Sequence, residues 1–346
     1  MPDHRKKSNK SVALGVEIAG SRATVALVDR YGRIRHRNHA KTLWGRPAAA
    51  TLEPYLRAIE AALAYAKSEG LRVRGLGISI PGTLDQATRR PLLIPTLPSL
   101  NDFPMCDLLE AHYNLPSQLY VDVDAAVLGE YHFGAGKGFR RLLFLAVNAV
   151  VGAALVIDGK LEQPAQEYVG HVCHMLVSTN GPRCSCGKRG CINTLVSMEA
   201  IKKMVQRALR RGEQTSLLQR LHNREYLSQQ LLAEEAIRGD KVALQVYGEV
   251  GRWLGAATAR YMSIFEPNVL ILGGGVLSAS QLLLSQVRSA LMEQSSSNVY
   301  NMLVVAPSRL GADAALIGAA VPFFNLPRPH RSIGQEAIED SVLTSS

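Results

Sequence analysis

His174-Met-Leu-Val-Ser-Thr-Asn-Gly-Pro-Arg-Cys184-Ser-Cys186-Gly-Lys-Arg-Gly-Cys191 puts one imidazole and three thiols in a single loop-sized segment. Gly181, Pro182, Gly187 and Gly190 let the backbone turn between them. Thiolate and imidazole together suit Zn²⁺, which takes four such ligands tetrahedrally. Four protein ligands leave no place for water, so the set reads as structural rather than catalytic. The spacing is neither a two-plus-two finger nor a ribbon; it is one His followed by a tight three-Cys hook. Surface disulfides or idle thiols are the alternatives. An intracellular chain and the glycine spacing weigh towards metal. Cys106 and Cys173 stand apart or in a hydrophobic run and are expected as buried thiols.

Working outward, a chain of 346 residues can bury a large core and is expected to divide into two domains. Its 47% apolar and 20% charged residues exclude general disorder. No apolar run approaches the roughly 20 residues that cross a bilayer. The opening MPDHRKKSNKS is polar and basic, with no secretory hydrophobic segment behind it, so the expected location is cytoplasmic. The formal charge is +10. Part of it is local: Arg5, Lys6, Lys7 and Lys10 lie in the tail, and Lys202, Lys203, Arg207, Arg210 and Arg211 on one predicted helix. A solvated helix face with a flexible tail accounts for both, and a nucleic-acid surface is the other reading. These charges carry no interleaved aromatics, so no single-strand stacking platform is expected from them.

After the tail, Val12–Ile18 is a β-branched apolar run, Gly20-Ser21 interrupts it, and Thr24–Val28 resumes. Asp29-Arg-Tyr-Gly32 then turns the chain into a third strand at Arg33-Ile34. Leu52–Ala66 has helical spacing, Val73–Ile80 reads as a strand ending at Pro81-Gly82, and Cys106–His112 as a short helix. Leu119–Val123 is a strand and Ala125–His132 a helix. The opening pattern then recurs: strand Leu142–Val147, a break at Asn148, strand Val151–Ile157, and the turn Asp158-Gly159. This predicts two lobes of like architecture, each opening with a hairpin, with the hairpin breaks facing a cleft. The second lobe continues through helices at 198–211, 231–238 and 241–265, strand Val269–Leu272, Gly273-Gly274-Gly275, helix 278–291, strand 303–306 and a small-residue helix 312–323. The expected domains are a tail at 1–11, a first lobe at 12–134 completed by helix 312–325, a second lobe at 135–311, and a polar tail at 327–346.

Two pieces carry candidate chemistry. Gly273-Gly274-Gly275, between a strand and a helix, would let backbone approach a ligand at a helix N-terminus, or would be a plain turn. Asp122 at a strand end would point into the crevice of an open sheet, placed to take a proton from a substrate hydroxyl. Asp124 is read as an N-cap.

With the hook Cys184-Ser-Cys186-Gly-Lys-Arg-Gly190-Cys191, the stretches Gly77-Ile-Ser-Ile-Pro-Gly82 and Asp122-Val-Asp124-Ala-Ala-Val-Leu-Gly-Glu130, and the late glycine turn, the chain resembles the ROK family (repressor, open reading frame, kinase) over about Val12–Phe324. The resemblance implies an α/β, two-lobed, actin-like ATPase (ribonuclease H-like) fold with structural zinc in the second lobe. It implies kinases that phosphorylate sugars with ATP and Mg²⁺. It also implies repressors that bind sugars or partner proteins and carry a winged helix-turn-helix. A homodimer or tetramer is implied as well.

The departures from the family pattern are specific. Where the kinases carry Asp-x-Gly-Gly-Thr in a phosphate loop, this chain has Glu17-Ile-Ala19-Gly20-Ser21. Where they carry Gly-Thr-Gly-x-Gly, it has Asn148-Ala-Val150-Val-Gly152, and a β-branched residue crowds a phosphate and disfavours φ > 0. The family's Glu-x-Gly-His aligns to His171-Val-Cys173-His174, so His174 keeps the metal role and His171 replaces a sugar-binding carboxylate. Asn193 replaces a Glu; Val121 and Thr96 stand where Asn residues usually do; Gly82 and Asp122 remain. Phosphoryl transfer works by positioning and charge stabilisation, so a crowded cradle is damaging. The expectation is a ROK-type protein with degenerate ATP-phosphate and sugar sites, sensing a small sugar or regulating without catalysis. An ATP-dependent hexose or N-acetylsugar kinase with Asp122 as base is the alternative, and a regulator acting with a separate DNA-binding part is another. A winged helix-turn-helix needs about 60–80 residues before the first hairpin, and only 11 precede Val12.

Overall fold

A computed structural model describes residues 10–162, 172–222, 226–295 and 303–326. His171, most of the N-terminal tail and the 327–346 tail lie outside the described residues. Packing divides the chain into two units. One takes in the chain to Leu142, Val156–Glu162 and the chain from Asp313; the other takes in Leu143–Leu155 and Gln163–Ala312.

The first unit is built on a five-stranded sheet of β1 (Ser11–Ala19), β2 (Arg22–Asp29), β3 (Ile34–Lys41), β4 (Arg72–Ile80) and β7 (Ser117–Val121), ordered β3-β2-β1-β4-β7. β1 is covered on both faces, which is why Val12–Ile18 reads as an almost unbroken apolar run. β1 and β2 pair antiparallel through Ala19↔Arg22, leaving Gly20-Ser21 as a two-residue turn. β1–β4 and β4–β7 are parallel. On one face the helix Ala48–Ser68 packs Leu52, Tyr55, Ile59 and Ala62 into the core with Leu14, Val16 and Ile18. The other face takes the helix Ala314–Ala320 at very short range: a Cβ on Gly15 would stand 2.1 Å from Leu316 O, and one on Gly77 1.8 Å from Ala319 O. A small hairpin, β5 (Thr83–Asp85) with β6 (Arg90–Leu93), follows Gly82.

The second sheet has the order β10-β9-β8-β11-β12, from β8 (Arg141–Val147), β9 (Val151–Ile157), β10 (Lys160–Glu162), β11 (Val269–Gly273) and β12 (Val304–Pro307). Counted in chain order, both sheets run third, second, first, fourth, fifth strand, so the repeat seen in the sequence is a repeat of topology. The helices Lys241–Phe265 and Ser280–Gln294 pack closely, with Gly255 against Ala290 and Val287.

Several expected boundaries move. The strand before the catalytic candidate ends at Val121, and the following helix begins at Asp122. Asp124 is therefore not the N-cap; Val121 is, because the backbone turns helical three residues earlier than expected. The segment 278–291 becomes a 3₁₀ turn, Gly275–Ala279, and a helix from Ser280. The segment 312–323 is an α-helix flanked by 3₁₀ turns. The helix Ser216–His222 was not foreseen.

Candidate functional site and metal centre

In the second unit the hook closes on itself through its backbone. Cys184 N–H donates to Lys188 O, Gly187 N–H to Cys184 O, and Gly190 N–H to Pro182 O, at 2.8, 3.0 and 2.9 Å. Gly187 and Gly190 have φ of +88° and +72°, and a Cβ on Gly190 would stand 1.7 Å from Ser178 O. This folding brings the candidate ligand atoms of His174, Cys184, Cys186 and Cys191 within 4.8 Å of one another. His174 Nδ1 lies 3.3 Å from Cys184 Sγ, and Cys186 Sγ 3.5 Å from Cys191 Sγ. Ligand–ligand edges of about 3.8 Å follow from tetrahedral Zn–S bonds of about 2.3 Å, so the donor set fits zinc. No two of the cysteines are bonded to one another in the structure. Burial and the neighbouring thiols push Cys191 up to about 12, while the Lys188 backbone N–H draws Cys186 down. A cation among these sulfurs would stabilise their thiolates. Cys106 and Cys173 are buried as expected.

In the first unit the sheet register builds a second grouping. His39, Thr24, Glu17, Ser79 and Tyr120 are successive cross-strand neighbours, and so lie on one face. Asp122 opens the adjacent helix and accepts the Val123 N–H at 2.8 Å. Burial raises the Glu17 carboxyl from 4.5 to about 7, with the charges of Asp122 and Asp313 adding and Arg22 and Arg37 opposing. Burial also raises Asp122 to about 6, against backbone N–H groups that lower it. Arg37 Nη2 donates to Asp313 Oδ2 at 2.7 Å. Ser79 Oγ is buried with no protein partner among the described residues. A carboxylate pair of this kind, one member ready to hold a proton near neutrality, suits proton exchange with a hydroxyl-bearing ligand. The Gly20-Ser21 turn is tied from β3's end of the sheet: Trp44 Nε1 donates to Gly20 O at 3.0 Å and Thr42 N–H to Ser21 O at 3.1 Å.

The ROK family model matches residues 13–323, which is most of the chain. The chain belongs to the ROK family. A glucokinase of Thermotoga maritima is 28% identical over 307 residues, covering 89% of this chain and 95% of that protein. A putative xylose repressor of Caldicellulosiruptor sp. is 25% identical over 312 residues, covering 90% and 78%. Among solved structures, a ROK family glucokinase from Streptomyces griseus, in complex with glucose and AMPPNP, superposes with a TM-score of 0.74 at 30% identity, covering 89% of this chain and 98% of that one. The fold is thus the actin-like one of ROK sugar kinases.

Gly82 has φ +117°, and a Cβ there would stand 1.9 Å from Leu93 O, so the residue is required by the backbone. Thr96 is exposed in the loop after β6, and Val121 pairs with Ile80 at the end of β7. In the second unit, Asn148 Oδ1 accepts the Gly275 N–H at 3.0 Å, and Gln229 Nε2 donates to Val147 O at 3.1 Å. A Cβ on Gly274 would stand 2.4 Å from Val147 O, and one on Gly275 2.0 Å from Gln229 Oε1. The glycines after β11 are thus packed against protein. Asn193 Oδ1 accepts the Val151 N–H at 3.1 Å, and Val150 is exposed at the loop tip beside Gly152. Sequence reasoning did not single out Arg22, Arg37, Ser79, Gln229 or Asp313. The cross-strand register sets Ser79 beside Glu17, and Arg22 and Arg37 act on its charge from neighbouring rows of the sheet; no local motif marks that register.

Proposed function

We propose that this ROK protein binds a sugar-sized, hydroxyl-rich ligand at the Glu17–Asp122 face and has given up phosphoryl transfer. The observation that carries the reading is the Asn148–Gly275 hydrogen bond. Its acceptor is a side chain of the very loop where the kinases carry glycines, and its donor is a backbone N–H suited to a nucleotide. Asn193 takes the Val151 N–H in the same way. With those donors used within the protein and Val150 at the loop tip, the residues present do not fit a phosphate cradle. Asp122 orients a ligand hydroxyl, Glu17 holds or releases a proton beside it, and Gly82 lets the β5–β6 hairpin close on Leu93. His174, Cys184, Cys186 and Cys191 hold zinc, which knits the hook and supplies no catalytic water.

The test is titration calorimetry with a hexose and N-acetylhexosamine panel, run with and without ATP–Mg²⁺, alongside a coupled phosphorylation assay. Saturable sugar binding that Asp122→Asn weakens at least tenfold, with no turnover, is the expected outcome. Turnover abolished by Asp122→Asn would overturn the non-catalytic reading. The raised carboxyls of Glu17 and Asp122 favour that second reading, an ATP-dependent sugar kinase with Asp122 as base. A regulator working with a DNA-binding part remains compatible with sugar binding alone.

A further inference from the structure

β3 is an edge of the first sheet, and its two faces differ completely. The even positions turn to the helix Ala48–Ser68: His36 stacks on Tyr65 at 4.1 Å, and Asn38 Nδ2 donates to Ala58 O. The odd positions Arg35, Arg37, His39 and Lys41 are all exposed. Arg22, also exposed, is the β2 partner of Lys41 and extends the strip. At the hairpin end of the strip Tyr31 is 53% exposed, with the Arg30 and Arg33 guanidinium carbons 5.7 and 5.9 Å from its ring centre.

Edge strands commonly carry a charge or two to discourage pairing with another chain. That need does not call for charges of one sign at every outward position. No acidic residue occurs from Tyr31 to Lys41. Asp313 engages Arg37, and Asp29 stands 3.8 Å from Arg35, so part of the charge is answered within the protein. Arg22, Arg33 and Lys41 make no ion pair among the described residues, and the strip keeps a positive excess. Alternate positions of a regular strand recur about every 6.8 Å, close to the spacing of successive phosphates along an extended nucleotide chain, and this repeat runs from Arg37 to Lys41 beyond the bulge at Arg35. An exposed ring flanked by guanidinium groups adds what a bare charge strip lacks, a face on which a base can stack. The basic helix Met198–Arg210 has exposed cations but no such ring.

We propose that the exposed basic strip of β3, on the sheet face that also carries Glu17, together with Tyr31 and Arg33 in the turn before it, binds single-stranded nucleic acid, its phosphates along Arg33, Arg35 and Lys41 and a base on Tyr31. This goes beyond the sugar reading and does not depend on it. The test is fluorescence anisotropy of the full chain with a labelled oligothymidylate across a salt series. Arg33→Gln/Arg35→Gln/Lys41→Gln should weaken binding at least tenfold at low salt. It should also flatten the slope of log affinity against log salt by about 2, at about 0.7 per phosphate contact removed. Tyr31→Ala should weaken binding about tenfold with the slope unchanged. Lys202→Gln/Lys203→Gln/Arg207→Gln should bind as the parent does, and circular dichroism should show every variant folded. Parent-like binding by the β3 triple variant would overturn the proposal. So would an unaffected Tyr31→Ala variant, binding of inorganic polyphosphate by the strip without the oligonucleotide, or equal affinity for duplex.

Discussion

At the scale of single residues, Glu17 is the most informative group. Its ordinary value of 4.5 rises to about 7 because burial disfavours the carboxylate and Asp122 and Asp313 add like charge. Well below pH 4.5 the folded and unfolded chains both hold this proton. Between 4.5 and about 7 the folded chain keeps it and the unfolded chain has lost it, so stability falls as pH rises through that window. Glu17→Gln should therefore match the parent near pH 4 and exceed it by about 1–3 kcal/mol at pH 8. The chain has two tryptophans, Trp44 in the first unit and Trp253 in the second. Denaturant unfolding of a Trp253→Phe background, followed through Trp44, gives the measurement. At the hook, Cys191→Ser should abolish stoichiometric zinc. Because thiols must lose their protons to bind, the parent's zinc affinity should fall steeply as pH is lowered, as competition with a chromogenic chelator would report. The hook's ligand types and glycines were open to inspection in the sequence, since each is a local requirement. The surroundings of Glu17 were not, because Asp122 and Asp313 reach it from distant parts of the chain.

At the scale of elements, the first sheet is held to its C-terminal helix by missing side chains. Gly15 and Gly77 admit the Ala314–Ala320 helix, and Gly318 admits Ala125, whose carbonyl oxygen would stand 1.7 Å from a Cβ there. Backbone cannot yield to a methyl as a flexible side chain can, so Gly318→Ala should cost about 3 kcal/mol or more. The loss should show in the Trp44 transition, and a normal zinc content would confine the damage to the first unit. The β8–β9 loop is the opposite case. Its sequence, Asn148-Ala-Val-Val-Gly152, showed that glycines were missing. The use of Asn148 to close on Gly275 became visible only with both strands in one sheet. β3 carries a similar lesson: the alternation of Arg35, Arg37, His39 and Lys41 is plain in the sequence, but its meaning depends on β3 being an edge strand.

At the scale of the whole molecule, the two sheets share a strand order, while the two units differ in what stabilises them. The first relies on apolar burial and close helix–sheet contact; the second adds the four-ligand hook. Chelation should therefore lower the Trp253-reported transition, by several degrees in thermal unfolding, and leave the Trp44-reported one in place. Metal analysis should return one zinc for each chain. Two transitions that shift together on chelation would mean that the units unfold as one.

Features that depend only on neighbours along the chain could be read from the residues alone. These include the hook, the apolar strands with their turns, the Asp122 corner and, through these, the family. Local chemistry suffices there, because ligand spacing, side-chain period and glycine placement act over a few residues. The tertiary structure decided which distant groups share a surface: Glu17 with Asp122 and Asp313, Asn148 with Gly275, and the exposed basic face of β3 with Tyr31. Electrostatic and hydrogen-bonding partners are set by sheet order and register, and those are properties of the packed chain.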